Sequence, residues 1–220
     1  MLFCSENYIL DKCGGYSYNP KIEYCFNGTI KSYGTLTDNR DVVIRTYKTV
    51  VIGTQTWMAE NLNHYNSNGY NSNNSRCYDY LDSNCAKYGR LYDWAMALTI
   101  CPSGWHLPSD AEWRTLTSYI GGSSIAGKKL RAINGWNSYY DGRYNGTDDY
   151  GFAALPGGAC DNGVFDYKCY HIGNEGRWWS ALEVNNINAY DVEMKYDEER
   201  AMHTFTSRPY LLSVRCVKDQ

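Results

Sequence analysis

The sequence predicts an α+β fold that is held together by disulfide bonds, and three observations support this prediction. The chain has 220 residues and nine cysteines, none of which forms the C-x-x-C motif of zinc ribbons and thioredoxin-like sites. Helical apolar periodicity is confined to the middle of the chain, and short strand-like segments fill the carboxyl-terminal half. Helices and strands segregated in this way indicate α+β rather than a repeating βαβ arrangement.

The composition indicates an extracellular binding protein. Tyrosine supplies 22 residues, and cysteines in this number are typical of an oxidising compartment. The net charge is −3 without a long basic run, which argues against a nucleic-acid partner. No apolar stretch is long enough to span a membrane. Residues 1–4 do not resemble a signal peptide, so we expect secretion to depend on a signal peptide that this chain does not include.

Residues 1–32 are predicted to be a small disulfide-held module, followed by one larger domain over residues 33–220. Short apolar pairs alternate there with the turn sequences Gly-Gly and Asn-Pro. A unit of this size cannot bury a core of its own, so we expect it to need a bond between Cys13 and Cys25. Cys4 is the alternative partner of Cys13, and otherwise we expect it to be the odd cysteine.

From residue 33 onward the pattern is first strand-like and then irregular. Strands are predicted at 42–44 and 47–52, because β-branched residues dominate both runs. Residues 63–84 are predicted to be a loop rich in Tyr, Asn and Ser. Within this loop the spacing of Cys77 and Cys85 suits a local bond.

Two main helices and one shorter helix are predicted in the middle of the chain. The first covers roughly residues 91–100, whose apolar residues share one face. The second begins after Ser109, which forms a capping-box pattern with Glu112, and a Gly-Gly pair ends it. The third is expected at residues 125–132.

Short strands are predicted for the rest of the chain, near residues 151–155, 163–167, 176–182, 188–196, 201–206 and 210–217. Trp178 and Trp179 are adjacent in one of them, so they point to opposite faces and one of them can be exposed. Four other tryptophans lie in apolar patterns and are expected in the core: Trp57, Trp94, Trp105 and Trp113.

Seven segments carry a resemblance to a known family. They are GTQTWMAENL (53–62), YGRLY (88–92), CPSGWHLPS (101–109), GTDDYGF (146–152), ALPGG (154–158), WWSA (178–181) and SVRCVK (213–218). In this order they resemble the Fibrobacter succinogenes major paralogous domain, over about residues 35–219. The CGG segment at 13–15 is similar to the small cysteine modules that often precede that domain.

The resemblance implies a C-type-lectin-like fold of the formylglycine-generating-enzyme type, with two main helices, short twisted antiparallel sheets and long loops. It also implies a secreted or surface-anchored bacterial protein. In lectin-like folds a cysteine after the first helix bonds to one in the last strand, which would pair Cys101 with Cys216. The local bonds would then be Cys77–Cys85, Cys160–Cys169 and Cys13–Cys25.

Enzymatic activity is not expected. The sequence has no H-x-x-x-H spacing, no G-x-S-x-G motif and no P-loop, and we interpret His106 as a structural histidine. Enzymes of the implied fold hold copper on a reactive cysteine pair near the carboxyl end. The candidates are Cys160, Cys169 and Cys216, but the spacing of the first two suits a disulfide.

Metal binding has one candidate pair, Asp148 and Asp149, whose carboxylates suit calcium. They lie in the turn sequence GTDDYG, where Asp side chains normally bond to their own backbone. The Glu-Pro-Asn and Gln-Pro-Asp motifs of calcium-dependent sugar binding do not occur. We therefore expect no cofactor, with calcium as the alternative.

Two loops are the predicted ligand-binding surfaces, residues 137–150 and 183–190. Both combine polar and aromatic residues next to strands, an arrangement in which a stiff scaffold presents adaptable contacts. The candidate residues are Trp136, Asn137, Tyr139, Tyr140, Tyr144, Glu183, Asn185, Asn186 and Asn188.

The leading hypothesis is a non-catalytic extracellular or cell-surface domain for binding or adhesion, which recognises a polysaccharide or a protein. The alternative is a structural subunit of a surface assembly or filament, in which the amino-terminal module or Cys4 contacts a second copy. A cryptic oxidase of the formylglycine-generating type is the third hypothesis.

Overall fold

The computed structural model describes residues 11–40, 43–65, 74–161 and 168–220. Over these ranges it shows an α+β fold with disulfide bonds, as predicted. In chain order the strands are β1 (Asp11–Cys13), β2 (Tyr16–Tyr18), β3 (Glu23–Phe26), β4 (Thr29–Ser32), β5 (Gly34–Asp38), β6 (Arg45–Ile52), β7 (Gln55–Met58), β8 (Ser75–Arg76), β9 (Leu91–Tyr92), β10 (Trp105–His106), β11 (Ala159–Cys160), β12 (Cys169–Tyr170), β13 (Glu175–Glu183), β14 (Asn188–Lys195), β15 (Ala201–Ser207), β16 (Leu212–Ser213) and β17 (Val217–Lys218). The helices are α1 (Asp82–Tyr88), α2 (Trp94–Ala97), α3 (Asp110–Tyr119) and α4 (Ser123–Leu130), and a 3-10 helix covers Tyr78–Tyr80.

The amino-terminal segment forms two β-hairpins within the described range. β1 pairs with β2 and β3 pairs with β4, both antiparallel. Their two-residue turns, Gly-Gly and Asn-Gly, have positive φ at both positions, as the type I′ turns of tight hairpins require. A disulfide between Cys13 and Cys25 joins the hairpins. This pairing is confirmed, and Cys4 lies outside the described residues.

Two larger sheets follow. The first has five strands in the order β10-β17-β7-β6-β5, and the second has six in the order β15-β14-β13-β16-β9-β8. Neighbouring strands are antiparallel except β13 and β16, which pair in parallel through Trp178 and Ser213. The prediction of antiparallel sheets therefore needs this correction. The parallel pair arises because the chain, after β15, passes β14 and enters the sheet on the far side of β13.

The second sheet is buried on both faces around Trp178 and Trp179. Trp178 and Trp179 are both fully buried, and they belong to different core clusters on opposite faces. Trp57 and Trp113 join Trp178 in the first cluster, with their own ring centroids 4.7 Å apart. Exposure of one of the adjacent tryptophans, which the sequence allowed, does not occur, because each face has its own core.

The capping box of α3 is confirmed. The Ser109 Oγ accepts a hydrogen bond from the Glu112 N–H at 3.2 Å, and the Glu112 carboxylate accepts one from the Ser109 N–H at 2.8 Å. The third predicted helix corresponds to α4, which begins two residues earlier than the predicted range of 125–132.

The helix predicted over residues 91–100 is mostly wrong. Leu91 and Tyr92 form β9, buried between β16 and β8, and only Trp94–Ala97 is helical. The Asp93 carboxylate caps that short turn by accepting the Met96 N–H at 2.8 Å. The apolar run at the start of this segment is therefore a buried strand, and a short apolar run alone does not distinguish a buried strand from a buried helix.

The predicted loop at 63–84 also needs correction, because α1 begins inside it. The Cys77–Cys85 disulfide closes this segment, and the buried Cys85 and Tyr88 hold the helix against the body of the protein. The described residues thus contain four α-helices, one more than predicted.

Of the strands predicted after residue 150, the one at 151–155 is wrong. Ala154 makes only an isolated bridge to Arg131, and the positive φ of Ala153 interrupts the extended backbone. The predicted strand at 163–167 lies outside the described residues. β13, β14 and β15 confirm the next three, and the predicted range 210–217 holds β16 and the first residue of β17.

The disulfide pairing that the resemblance implied is confirmed. Cys101 bonds to Cys216 across a sequence separation of 115, and the local bonds Cys77–Cys85 and Cys160–Cys169 are present. The amino-terminal hairpins touch the larger part of the chain, because Tyr24 packs against the first core cluster. Among the helices in the described ranges, none combines the length and the apolarity that crossing a membrane requires.

Candidate functional site

Four tyrosines, three from the predicted loop 137–150 and Tyr196, form an aromatic cluster at the surface, in which Tyr140 is exposed and the other three are half-buried. Tyr139 lies at the centre, and its ring centroid is 4.7 Å from that of Tyr140, 5.4 Å from Tyr144 and 6.3 Å from Tyr196. Tyr140 is 94% exposed and has φ of +22°, a strained value for a residue other than glycine. Strain of this kind is often kept at functional sites. We call these four residues the tyrosine surface.

Arg131 anchors the tyrosine surface to the body of the protein. Its side chain is fully buried and donates hydrogen bonds to the backbone oxygens of Tyr144, Lys195 and Glu198. Burial lowers its pKa to about 10, so the guanidinium stays charged at neutral pH. Because Tyr196 directly follows Lys195, this one side chain fixes both segments that carry the surface.

Two charged side chains of the loop 137–150, Asp141 and Arg143, neutralise each other. The Arg143 guanidinium binds the Asp141 carboxylate with distances of 2.7 and 3.0 Å. The hydrogen bonds from Arg143 lower the pKa of Asp141 to about 2. The rings of the loop 137–150 therefore stand next to a closed ion pair, whereas the exposed Asp197, which follows Tyr196, has no hydrogen bond or ion pair with another residue of the described ranges.

Trp136 and Asn137, two predicted ligand-binding residues, brace the loop from within. Trp136 packs against the first core cluster and donates its Nε1–H to the Ala154 oxygen at 2.8 Å. The Asn137 amide donates to the Asn174 side chain, also at 2.8 Å. The structure thus places both residues in the support of the loop. Tyr196 was not predicted as a binding residue, and its only signal was its position as the last residue of the predicted strand 188–196.

The second predicted loop is the turn between β13 and β14. The Asn185 side chain accepts hydrogen bonds from two backbone N–H groups of this turn, both at 2.9 Å, so it shapes the turn. Asn188 is the first residue of β14, and Glu183 lies 3.5 Å from Arg208. Asn186 is exposed, and its side chain makes no hydrogen bond to another residue in the described ranges.

The two predicted loops lie at opposite ends of the β13–β14 hairpin. β13 begins at Glu175, next to the Asn174 that binds Asn137, and it ends eight residues later at Glu183. At roughly 3.3 Å per residue the two ends are about 26 Å apart. One small ligand cannot contact both loops, so they are separate candidate surfaces.

Asp148 and Asp149 lie away from the tyrosine rings. The Asp148 carboxylate accepts the Ala153 N–H at 2.7 Å, which is the turn-type bond that the sequence suggested. Burial raises the pKa of Asp148 to about 8, against the lowering effect of this bond. Within the described ranges no three His, Cys, Asp or Glu side chains are grouped so that they could hold a metal ion.

A cleft of about 540 Å³ lies between the amino-terminal hairpins and the loops that contain Asn134 and Asp148, and no sequence pattern predicted it. Tyr24 and Tyr33 line it from the hairpin side. The tyrosine content of the hairpins was visible in the sequence, but the way in which they dock was not.

Comparison with known proteins supplies one match. Residues 50–218 match the family model described as the Fibrobacter succinogenes major domain. This range runs from β6 to β17 and includes the tyrosine surface, whereas it leaves out the amino-terminal hairpins. No curated protein and no solved structure matches the chain.

Proposed function

The chain belongs to the Fibrobacter succinogenes major domain family, and we propose that it is a non-catalytic domain that binds a polysaccharide outside the cell. The tyrosine surface carries this proposal. Its central ring, Tyr139, is held among three others, and Tyr140 stands almost fully exposed. Large aromatic side chains that a buried arginine holds in an exposed position are typical of contact surfaces.

The chemistry of this surface fits a sugar chain. The face of an aromatic ring is electron-rich and attracts the C–H groups on the flat side of a pyranose ring. Tyrosine hydroxyls both donate and accept hydrogen bonds, as the hydroxyl groups of sugars require. The pair of Asp141 and Arg143 carries no net charge, so the loop 137–150 does not itself favour a charged partner. A protein ligand would use similar tyrosine chemistry, and it is the alternative outcome of the test below.

The disulfide bonds support the extracellular part of the proposal. Four disulfides pair every cysteine within the described ranges, and such bonds persist mainly in oxidising compartments. The same pairing speaks against the copper oxidase hypothesis, since Cys160, Cys169 and Cys216 are all in disulfides.

The proposal includes a C-type-lectin-like fold of the formylglycine-generating-enzyme type. Two features support it. Short helices flank the five-stranded and the six-stranded sheet, and the Cys101–Cys216 disulfide ties the segment after α2 to the residue before β17. Ligand binding on such a scaffold falls to the loops, because the sheet faces are occupied by the two cores.

Binding to polysaccharides tests the proposed function. The purified chain would be incubated with insoluble cellulose, xylan and chitin, and examined by affinity electrophoresis with their soluble derivatives. We expect binding to at least one of them, and equal binding in calcium and in a chelator because no cofactor is proposed. Parallel probing of a protein array distinguishes the alternative ligand class.

Three alanine variants and one control variant locate the binding surface. Tyr139→Ala and Tyr140→Ala each remove a stacking ring and should weaken binding roughly tenfold. Tyr16→Ala is the matched control, because Tyr16 is also well exposed but lies in β2 of the amino-terminal hairpins. Asn186→Ala reports separately on the far end of the β13–β14 hairpin. Unchanged affinity in both tyrosine-surface variants, or binding to proteins alone, would overturn the proposal.

A further inference from the structure

The cleft between the amino-terminal hairpins and the body of the protein has the size of a ligand site. Its volume of about 540 Å³ lies within the roughly 300–1,000 Å³ of small-molecule sites. One wall comes from the hairpins, and the other comes from the two ends of the loop that runs from Arg131 to Ala153. The lining residues used below include Asn27, Tyr24, Tyr33, Asn134, Asp148 and Asp149.

The charges that line the cleft cancel at neutral pH. Lys12 and Lys48 are balanced by Glu23 and Asp149, and burial keeps Asp148 mostly protonated because its pKa is raised to about 8. Both lysines and Glu23 are also engaged in hydrogen bonds to the hairpin segment. The cleft therefore offers no strong attraction to a charged ligand.

Apart from the Asp149 carboxylate, the unbonded polar groups that line the cleft are neutral. The hydroxyls of Tyr24 and Tyr33 and the side-chain amides of Asn27 and Asn134 make no hydrogen bond to another residue of the described ranges. Burial raises the pKa of both tyrosines, so their hydroxyls stay protonated and can donate. The two rings are packed with centroids 4.9 Å apart and a tilt of 39°.

We propose that this cleft is a second binding site, and that it takes one or two units of a neutral sugar. The aromatic rings of Tyr24 and Tyr33 supply the apolar contact, while the free amides of Asn27 and Asn134 can each bind a pair of neighbouring hydroxyl groups, since an amide both donates and accepts. This site goes beyond the proposed function, because it concerns another surface and a small ligand. It does not depend on what the tyrosine surface binds.

Ligand-observed NMR and calorimetry on the full chain test the cleft. The probes are glucose, xylose, N-acetylglucosamine and cellobiose, each at millimolar concentration. Tyr24→Phe removes one hydroxyl and keeps the ring, and Asn134→Ala truncates an exposed side chain, so both should fold. Tyr16→Ala is the control, because Tyr16 is well exposed in β2 and does not line the cleft, and Tyr140→Ala reports on the tyrosine surface. We expect at least one probe to bind, and each cleft variant to weaken it roughly three- to tenfold through one lost hydrogen bond.

The outcomes separate the two sites. Loss of sugar binding in the cleft variants with no effect of Tyr16→Ala supports the cleft, even if no polysaccharide binds the tyrosine surface. The cleft proposal is overturned if no probe binds, or if binding is insensitive to both cleft variants. Sensitivity to Tyr140→Ala alone overturns it as well, while leaving the proposed function in place.

Discussion

Removal of the disulfide between Cys101 and Cys216 should destabilise the protein far more than removal of the one between Cys77 and Cys85. Alanine at both positions of either pair deletes the same atoms. The two bonds differ mainly in the length of chain that they close, since the sequence separation is 115 for the first and 8 for the second. A longer closed loop removes more conformations from the unfolded chain.

The expected difference follows from the chain-entropy model. At 25 °C the bond across 115 residues is worth about 4.8 kcal/mol and the bond across 8 residues about 2.5 kcal/mol. The double variants should therefore differ by about 2.4 kcal/mol in free energy of unfolding. For a chain of this size that difference corresponds to roughly 5–10 °C in Tm.

Urea unfolding measures both losses. Tryptophan fluorescence reports on the cores, because Trp57, Trp113, Trp178 and Trp179 are fully buried. The experiment is done without reductant, so that the remaining disulfides stay intact in each variant. Equal losses for the two pairs, or a larger loss for the shorter loop, would refute the reasoning from chain entropy.

Three further predictions concern single side chains. Burial tends to lower the pKa of His106, but hydrogen bonds to Asp219 and Glu112 raise it on balance. The stabilisation that protonated His106 provides is therefore present below about pH 6.5 and is lost as the pH rises through the folded pKa. His106→Gln should flatten this loss in a pH series of urea unfolding, and an unchanged slope would contradict it. Burial raises the pKa of Asp148 to about 8. The stability that protonated Asp148 provides is therefore lost as the pH rises from about 4 to about 8. Asparagine does not ionise, so Asp148→Asn should gain stability over the unsubstituted chain as the pH rises through this range. Arg131→Lys keeps the charge but loses the guanidinium fork, and should cost roughly 2–4 kcal/mol and weaken polysaccharide binding together, whereas a stable variant with full binding would rule out the anchoring role.

The elements that the sequence predicted well are those with local causes. The capping box of α3 depends on Ser109 and Glu112, which are neighbours in sequence, and it was visible in the chain. The strands β13, β14 and β15 were predicted because each is a run long enough to show its pattern. The local disulfide at Cys77 and Cys85 was likewise suggested by spacing alone.

The elements that it missed depend on contacts between distant segments. Leu91 and Tyr92 have apolar neighbours that suit a helix, but pairing with β16 and β8 draws them into a sheet. Ala154 lies in an apolar run, yet it meets Arg131 in a single bridge. A strand or helix that is decided by such partners cannot be read from its own residues.

The candidate site shows the same division. Tyr139, Tyr140 and Tyr144 lie close in sequence, so their loop was recognisable, but Tyr196 joins them only because β14 ends there. Asn137 has the composition of a binding residue and supports the loop instead, because Asn174 happens to face it. Residue type alone does not tell a contact residue from a supporting one.

The burial of Arg131 explains how this protein can keep the proposed binding loop rigid. A buried guanidinium is costly unless its N–H groups are satisfied, and here the acceptors are backbone oxygens of three separate segments that include Tyr144 and Lys195. The loop must therefore adopt this conformation for the core to close around the charge. A ligand then meets rings that folding has already ordered, so binding does not have to supply that entropy. It follows that substitutions at Tyr139 or Tyr140 should change affinity alone, whereas substitution of Arg131 should change affinity and stability together.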